Sequence, residues 1–231
     1  MLYALINGKK TGASPDLKAK CPLCGKDVFA KCGEFKINHW SHYVKESCSI
    51  WYEPDSEWQG KWKHIFGKEN SEVLITKDGK KGIADVRTPT NVLLQFRSAS
   101  ITIKDIEHRE AFFGERMLWV INGFDFRDGF STFYYPDERS ATRVYVGRNS
   151  FQAVNDPEQN WEADNDKNIR FEWDSPRRVW IGASRPMFID FGDAYLFRIT
   201  DWTGQKFGGG KWFSKEKFVE KYGGDLTLLK A

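Results

Sequence analysis

Cysteine is scarce and confined: the 231 residues hold four, Cys21, Cys24, Cys32 and Cys48. A secreted scaffold stapled by disulfides is therefore excluded, and the spacing of the four matters more than their even number. No run of 18 apolar residues occurs, so no helical membrane span is expected. The start, Met1 to Gly8, is too short and lacks the basic stretch of a secretion signal, so the expected location is the reducing cytoplasm. A large excess of either charge is also missing. Lys and Arg total 35 against 32 Asp and Glu, a net +3, too little to argue for nucleic acid by itself. No internal repeat is visible.

Aromatic residues, by contrast, are abundant, at 16% with 10 Trp, beside 40% apolar and 29% charged residues. That balance fits a folded globular chain, and a chain of this length buries roughly 70% of its unfolded surface. The first 45 residues carry Lys9, Lys10, Lys18, Lys20, Lys26, Lys31, Lys36 and Lys45 against Asp16, Asp27 and Glu34. Such a basic segment either holds phosphates through counterion release or is a solvated surface.

Turn and cap signals divide the chain. Leu2–Ile6 reads as a strand closed by Asn7-Gly8, and Val28–Cys32 with Phe35–His39 as a hairpin around Gly33-Glu34. Glu53-Pro54-Asp55 is a polar hinge. Ser56 and Gln59 then form a capping box, and Trp58, Trp62, Ile65 and Phe66 give an amphipathic helix of about 12 residues. Glu72–Thr76, Lys81–Arg87 and Val92–Phe96 follow as strands, with Asp78-Gly79 as a turn. A helix over about 103–115 capped by Thr102 and an apolar strand Met117–Ile121 complete the order helix, three strands, helix, strand. The remainder reads as mostly β: Ser131–Tyr135, Arg143–Val146, Ile169–Trp173, Val179–Ala183, Met187–Phe191 and Tyr195–Trp202. Asn155–Asp166 reads as a loop, Lys206–Lys211 as a flexible glycine loop, and 215–222 as a short helix. Trp173, Trp180, Trp202 and Trp212 are read as core, with stacking on single-stranded bases as the alternative. Asp190-Phe191-Gly192 shares only its letters with the kinase metal motif.

Two constellations carry chemistry. Cys21-Pro22-Leu23-Cys24 and His39-Trp40-Ser41-His42 form a CxxC…HxxH set with 14 intervening residues, the pattern of a closed structural zinc site. Cys32 and Cys48 have no evident pair and read as buried thiols. The second is Asp85 inside an apolar strand, followed one strand later by Gln95 and Arg97, which project from one face. An acidic residue facing a polar-x-basic pair is an arrangement that can hold Mg²⁺ or Mn²⁺ against a phosphate. A hairpin aspartate beside a solvated face is the plainer alternative.

These residues in this order resemble the CoiA-like competence protein family. The similar stretches are Cys21–Gly25, His39–His42, Ser56-Glu57-Trp58, Trp62-Lys63, Ala84-Asp85-Val86 and Gln95–Ile101, with Arg109 and Met117–Ile121 after them. Pro186–Asp193 is a looser likeness. The resemblance implies an α+β fold: a PD-(D/E)xK nuclease-like mixed sheet with flanking helices, an N-terminal zinc-binding hairpin module (1–52), a nuclease-like core (53–124) and a β-rich C-terminal region (125–231). It further implies a DNA-processing protein in competence, recombination or defence, with nucleic acid and recombination proteins as partners and no membrane. In that reading Asp85 and Gln95 ligate the divalent cation, Arg97 steadies the phosphate, Glu57 orients a ligand or water, and zinc is structural. The family strand after Asp85 usually reads E-x-Q, where this chain has Gln95 and Arg97, and the family His after the helix-opening Glu-Trp is Gln59 here. An arginine keeps charge but cannot act as a base. The alternative is a degenerate nuclease fold that only binds nucleic acid or a recombination partner.

Overall fold

A computed structural model describes residues 1–33, 36–44, 48, 55–135, 141–146 and 169–229. The expected loop Asn155–Asp166, along with Glu34, Phe35, Lys45 and Glu53-Pro54, lies outside the described residues. The chain forms two compact units, Met1–Ser98 with Tyr222–Ala231, and Ala99–Lys221. Among the described residues no helix is long and apolar enough to cross a membrane. The protein is α+β, with strands predominating.

The first unit opens with β1 (Tyr3–Ile6), β2 (Lys9–Gly12), β3 (Lys18–Lys20), β4 (Asp27–Gly33) and β5 (Lys36–His42). They form an antiparallel sheet in the order β2-β1-β3-β4-β5. Asn7 and Gly8 at φ +49° and +75° make the tight turn between β1 and β2, since only such residues enter the left-handed region cheaply. Alternation along the strands sends Ala4, Ala19, Val28 and Trp40 into one small core with Met1 and Cys21. The Trp40 indole N–H donates to Thr11 O at 2.9 Å, so the ring's polar atom is satisfied.

α1 (Glu57–Ile65) begins where its sequence places it. Gln59 N donates to Ser56 Oγ at 3.2 Å, and Ser56 N donates to Gln59 Oε1 at 3.0 Å, a reciprocal cap. The buried face carries Trp58, Trp62 and Ile65, and the exposed face Glu57, Lys61 and His64. Gly67 at φ +74° starts the short α2 (Gly67–Asn70). The antiparallel strands β6 (Ser71–Lys77), β7 (Lys80–Arg87) and β8 (Leu93–Arg97) follow, with Asp78-Gly79 turning β6 into β7. Trp58 and Trp62 pack on Phe96 of β8 at ring-centroid distances of 6.1 and 5.4 Å. A 3₁₀ turn at Leu226–Leu229 returns to this unit, Asp225 N donating to Ile65 O at 2.9 Å.

The second unit contains α3 (Ile103–Phe113), capped by Thr102, whose Oγ1 accepts from Asp105 N at 3.1 Å. Its strands are β9 (Met117–Asn122), β10 (Phe130–Tyr134), β11 (Val144–Val146), β12 (Ile169–Trp173), β13 (Met187–Asp190), β14 (Tyr195–Asp201) and β15 (Phe207–Ser214), before α4 (Lys215–Lys221). The order is β11-β10-β12-β15-β14-β13-β9, antiparallel except for the parallel pair β13/β9, so the sheet is mixed. Its core is aromatic: Phe130, Phe171, Trp173, Phe191, Phe197 and Trp212 are all buried. The order helix, three strands, helix, strand expected for residues 57–122 is observed along the chain, with the four-residue α2 added between α1 and β6.

Two expectations are corrected here. Val179–Ala183 is not a strand but lies on a 3₁₀ turn, Arg178–Gly182, which places Trp180 inward. Lys206–Lys211 is not a flexible loop: Gly208, Gly209 and Gly210 are ladder residues of β15, between β12 and β14. The glycines are there because aromatic rings lie over them. A Cβ on Gly208 would stand 2.3 Å from the Phe171 ring, and one on Gly210 2.3 Å from the Phe197 ring. Gly210→Ala is therefore expected to cost about 1–3 kcal/mol by overpacking. Urea unfolding of the variant with an unchanged midpoint would contradict this account of the triplet.

Candidate metal centre and carboxylate cluster

The Cys21-Pro22-Leu23-Cys24 turn is closed by backbone hydrogen bonds: Cys21 N donates to Lys26 O at 2.8 Å and Gly25 N to Cys21 O at 2.9 Å. Gly25 sits at φ +70°, which lets the turn fold back on itself. Facing it are His42, at the end of β5, and Cys48. Ligand atoms of Cys21, Cys24, His42 and Cys48 all lie within 4.8 Å of one another. The Cys21 and Cys48 sulfurs are 3.7 Å apart, and the Cys24 sulfur is 3.4 Å from His42 Nε2. Tetrahedral coordination with metal–sulfur bonds of about 2.3 Å and metal–nitrogen bonds of about 2.0 Å places ligand atoms roughly 3.5–3.8 Å apart. The donor set thus fits one tetrahedral ion such as zinc.

The protonation tendencies agree in part. Burial, together with the positive charges of the amino terminus and Lys26, lowers His42, favouring the neutral imidazole that coordinates. Burial raises the Cys21 thiol. At Cys24 burial acts in the same direction, but the Lys26 amide and the neighbouring thiols outweigh it and the thiol is lowered. A bound cation would deprotonate both.

One of the four expected ligands differs. His39 and His42 are three apart on one strand, an odd separation that sends them to opposite faces. His42 shares the inward face with Trp40, and the His39 Nδ1 instead lies 2.9 Å from Ile37 O. Cys48, read from the sequence as a buried thiol, occupies the remaining corner, whereas Cys32 is exposed. Strand alternation around Trp40 was the available signal against His39, because it puts only one of the two histidines on the apolar side.

A second cluster gathers around Lys63, on the buried face of α1. Its ammonium lies 2.6 Å from Asp55 Oδ1, 3.0 Å from Glu72 Oε1 and 3.1 Å from Asp85 Oδ1. The Lys63 side chain is 3% exposed, so the ion pairs have little solvent to screen them. Glu72 stands at φ +48° between the paired residues Ser71 and Val73, and its two oxygens accept Leu2 N and Tyr3 N at 2.8 and 2.9 Å. The second oxygen of Asp85 accepts Phe96 N at 2.8 Å, continuing the β7/β8 pairing with a side chain. The Met1 amino group lies 3.8 Å from Asp55 Oδ2.

Asp85 is thus brought to Lys63, Asp55 and Glu72, with the Lys63 ammonium and the Phe96 amide on its two oxygens. Gln95 and Arg97 are buried on β8. Glu57 is on the exposed face of α1, paired with Lys61 at 2.7 Å, and the structure does not bring it to Asp85. Gln59 ties α1 to β8, its Nε2 donating to Phe96 O at 3.0 Å and its Oε1 accepting from Ser98 Oγ at 2.9 Å. Sequence reasoning did not assign Lys63, Asp55 or Glu72 to the site. A lysine four residues after Gln59, on the tryptophan face of an amphipathic helix, was the signal, since a buried lysine requires acidic partners. Of the N-terminal lysines, Lys10 donates to Ser71 O, Lys20 pairs with Asp27, and Lys31 lies over Phe29.

With this geometry in hand, the comparisons bear on the N-terminal module alone. Residues 17–51 match the family model described as Competence protein CoiA, N-terminal domain. The matched segment contains all four residues of the Cys₃His group, so the CoiA N-terminal likeness and the ligand geometry coincide. No curated protein and no solved structure matches the chain.

Burial would lift both Asp55 and Glu72, and the outcomes differ with their partners. Burial pushes Asp55 up to about 6 despite Lys63, whereas at Glu72 the Lys63 charge and the Leu2 amide overcome burial and hold it at about 2. For Lys63, burial opposes the charge, but Asp55, Glu72 and Asp85 raise it well above its ordinary value. Glu72, depressed from 4.5, contributes stability that is present above about 4.5 and lost as pH falls toward 2. Asp55, raised from 3.8, acts oppositely: its ionisation costs stability as pH rises from about 4 to 6. Relative to the parent, Glu72→Gln should flatten the acid limb of a thermal-unfolding profile and Asp55→Asn the decline between pH 4 and 6. Parallel profiles for parent and variants would refute the assignment. Lys63→Met, which leaves three carboxylates uncompensated, should cost about 3–5 kcal/mol by urea unfolding.

For the Cys₃His group, one equivalent of metal is expected by plasma mass spectrometry. Cys48→Ser should lose it, and His39→Ala should retain it; the reverse outcome would restore His39 as the ligand.

Proposed function

We propose that this protein is a CoiA-like, competence-related nucleic-acid-binding protein whose N-terminal module is organised by a structural zinc at Cys21, Cys24, His42 and Cys48. Its nuclease-like cluster is closed by an internal cation. The observation that carries this reading is the Lys63 ammonium, within 2.6–3.1 Å of three carboxylates. A divalent ion bound by Asp85 would have to take this place. The residues do not fit Mg²⁺ or Mn²⁺ as they stand: both Asp85 oxygens are engaged, Glu57 is remote on the exposed helix face, and Gln95 offers an amide where the family carries a carboxylate. Binding would then rest on cationic side chains, with the exposed N-terminal lysines as the residues to test.

A second reading is a Mg²⁺- or Mn²⁺-dependent PD-(D/E)xK-type nuclease acting on DNA, using Asp85, Gln95, Arg97 and Glu57. The helix, three-strand, helix, strand order favours it. It requires Lys63 to leave the carboxylates.

Single- and double-stranded DNA and RNA, incubated with the protein and Mg²⁺ or Mn²⁺, separate the two. Salt-sensitive binding without cleavage, unchanged by Gln95→Glu, is the expected result. Mn²⁺-dependent cutting by the parent that disappears in Asp85→Ala would establish the nuclease. Affinity that does not fall between 50 and 200 mM salt would argue against a nucleic-acid partner altogether.

A further inference from the structure

The second unit holds two arginines whose Nε–H groups find no acceptor, although the Arg198 guanidinium lies 5.9 Å over the Phe188 ring. Arg185, just before β13, and Arg198, on β14, line one cavity of about 310 Å³. The Nε of each is buried and has no hydrogen-bond partner, and neither guanidinium makes an ion pair among the described residues. Partly burying a guanidinium without an acceptor costs free energy that an anionic ligand would return. Phe188 and Lys211 are the cross-strand neighbours of Arg198, so an exposed lysine adds a third positive charge on that face of the sheet.

The rim is held rigid by a buried carboxylate. Glu110 on α3 accepts Ser184 N at 3.0 Å, Ser184 Oγ at 2.5 Å, Arg185 N at 3.2 Å and the Trp119 indole N–H at 2.8 Å. Both of its oxygens are committed to donors, so it orients the segment that presents Arg185 instead of pairing with its guanidinium. Asp201, the next acidic residue along β14, lies 3.5 Å from Arg170. The rest of the wall includes the half-buried Trp202, a planar surface on which an aromatic ring can stack, while Trp180 behind it is buried against Trp119. Two guanidinium forks on one cavity match an anion with several oxygens and up to two charges, which is a phosphate more than a carboxylate.

We propose that Arg185 and Arg198 form a phosphate-binding pocket that takes a nucleotide phosphate with its base against the Trp202 ring. The pocket belongs to the second unit and stands whether or not Lys63 closes the carboxylate cluster of the first.

The test uses the metal-loaded 231-residue chain. Buried arginine Nε–H groups give resolvable proton–nitrogen NMR signals, assigned by their loss in Arg185→Lys and Arg198→Lys. Inorganic phosphate, dTMP and the single strand dT12 are titrated in turn. Both signals should move with dTMP and with dT12, and the folded double variant Arg185→Ala/Arg198→Ala should bind dTMP at least tenfold more weakly. Equal shifts with inorganic phosphate and dTMP would retain the phosphate site and overturn the base wall. If neither signal moves with any of the three probes, or if the folded double variant binds dTMP as tightly as the parent, the proposal falls. Loss of dTMP binding with dT12 affinity unchanged would confirm the pocket as a mononucleotide site and leave the proposed nucleic-acid function untouched.

Discussion

The first unit depends on the burial of a single ammonium. Lys63 cannot be removed from water without compensation, and its compensation comes from three separate pieces of chain: Asp55 before α1, Glu72 at the start of β6 and Asp85 within β7. Each carboxylate is in turn tied elsewhere. Glu72 holds the amides of Leu2 and Tyr3, so the first strand of the N-terminal sheet is fixed to the same point, and Asp85 holds the amide of Phe96 on β8. One charge therefore sets the position of helix α1 against β6, β7 and β8. The aromatic packing of Trp58 and Trp62 on Phe96 supplies the apolar burial around it.

The same interaction decides what the cluster can do. A carboxylate group open to solvent with spare oxygens invites a divalent ion, whereas a carboxylate group already neutralised by an ammonium and backbone amides is a structural joint. Glu110 in the second unit repeats the logic with neutral donors, committing a buried carboxylate to four hydrogen bonds.

Signals that act within a few residues were legible from the sequence. The Asn7-Gly8 and Asp78-Gly79 turns, the Ser56–Gln59 box and the Thr102 cap all appear where local stereochemistry places them. The Cys-x-x-Cys turn is legible for the same reason, as a short loop whose backbone amides close on Cys21. Signals that depend on another strand were not. Gly208–Gly210 reads as a loop until the rings of Phe171 and Phe197 are placed over it, and Val179–Ala183 has β-like composition but curls into a 3₁₀ turn that buries Trp180.

The sequence by itself determined the order of helices and strands over residues 57–122, two thiolates and one imidazole of the Cys₃His group, and a polar strand pair at Asp85 and Gln95. The physical reason is that caps, turns and side-chain alternation are local and leave a periodic trace. Only the tertiary structure decided that Cys48 replaces His39, because that choice is made by which face of β5 points inward and by a residue beyond the strand. Only the tertiary structure, likewise, showed Lys63 among three carboxylates. Asp55, Glu72 and Asp85 are separated by up to 30 positions in the chain, and nothing short of the folded backbone brings them to one ammonium.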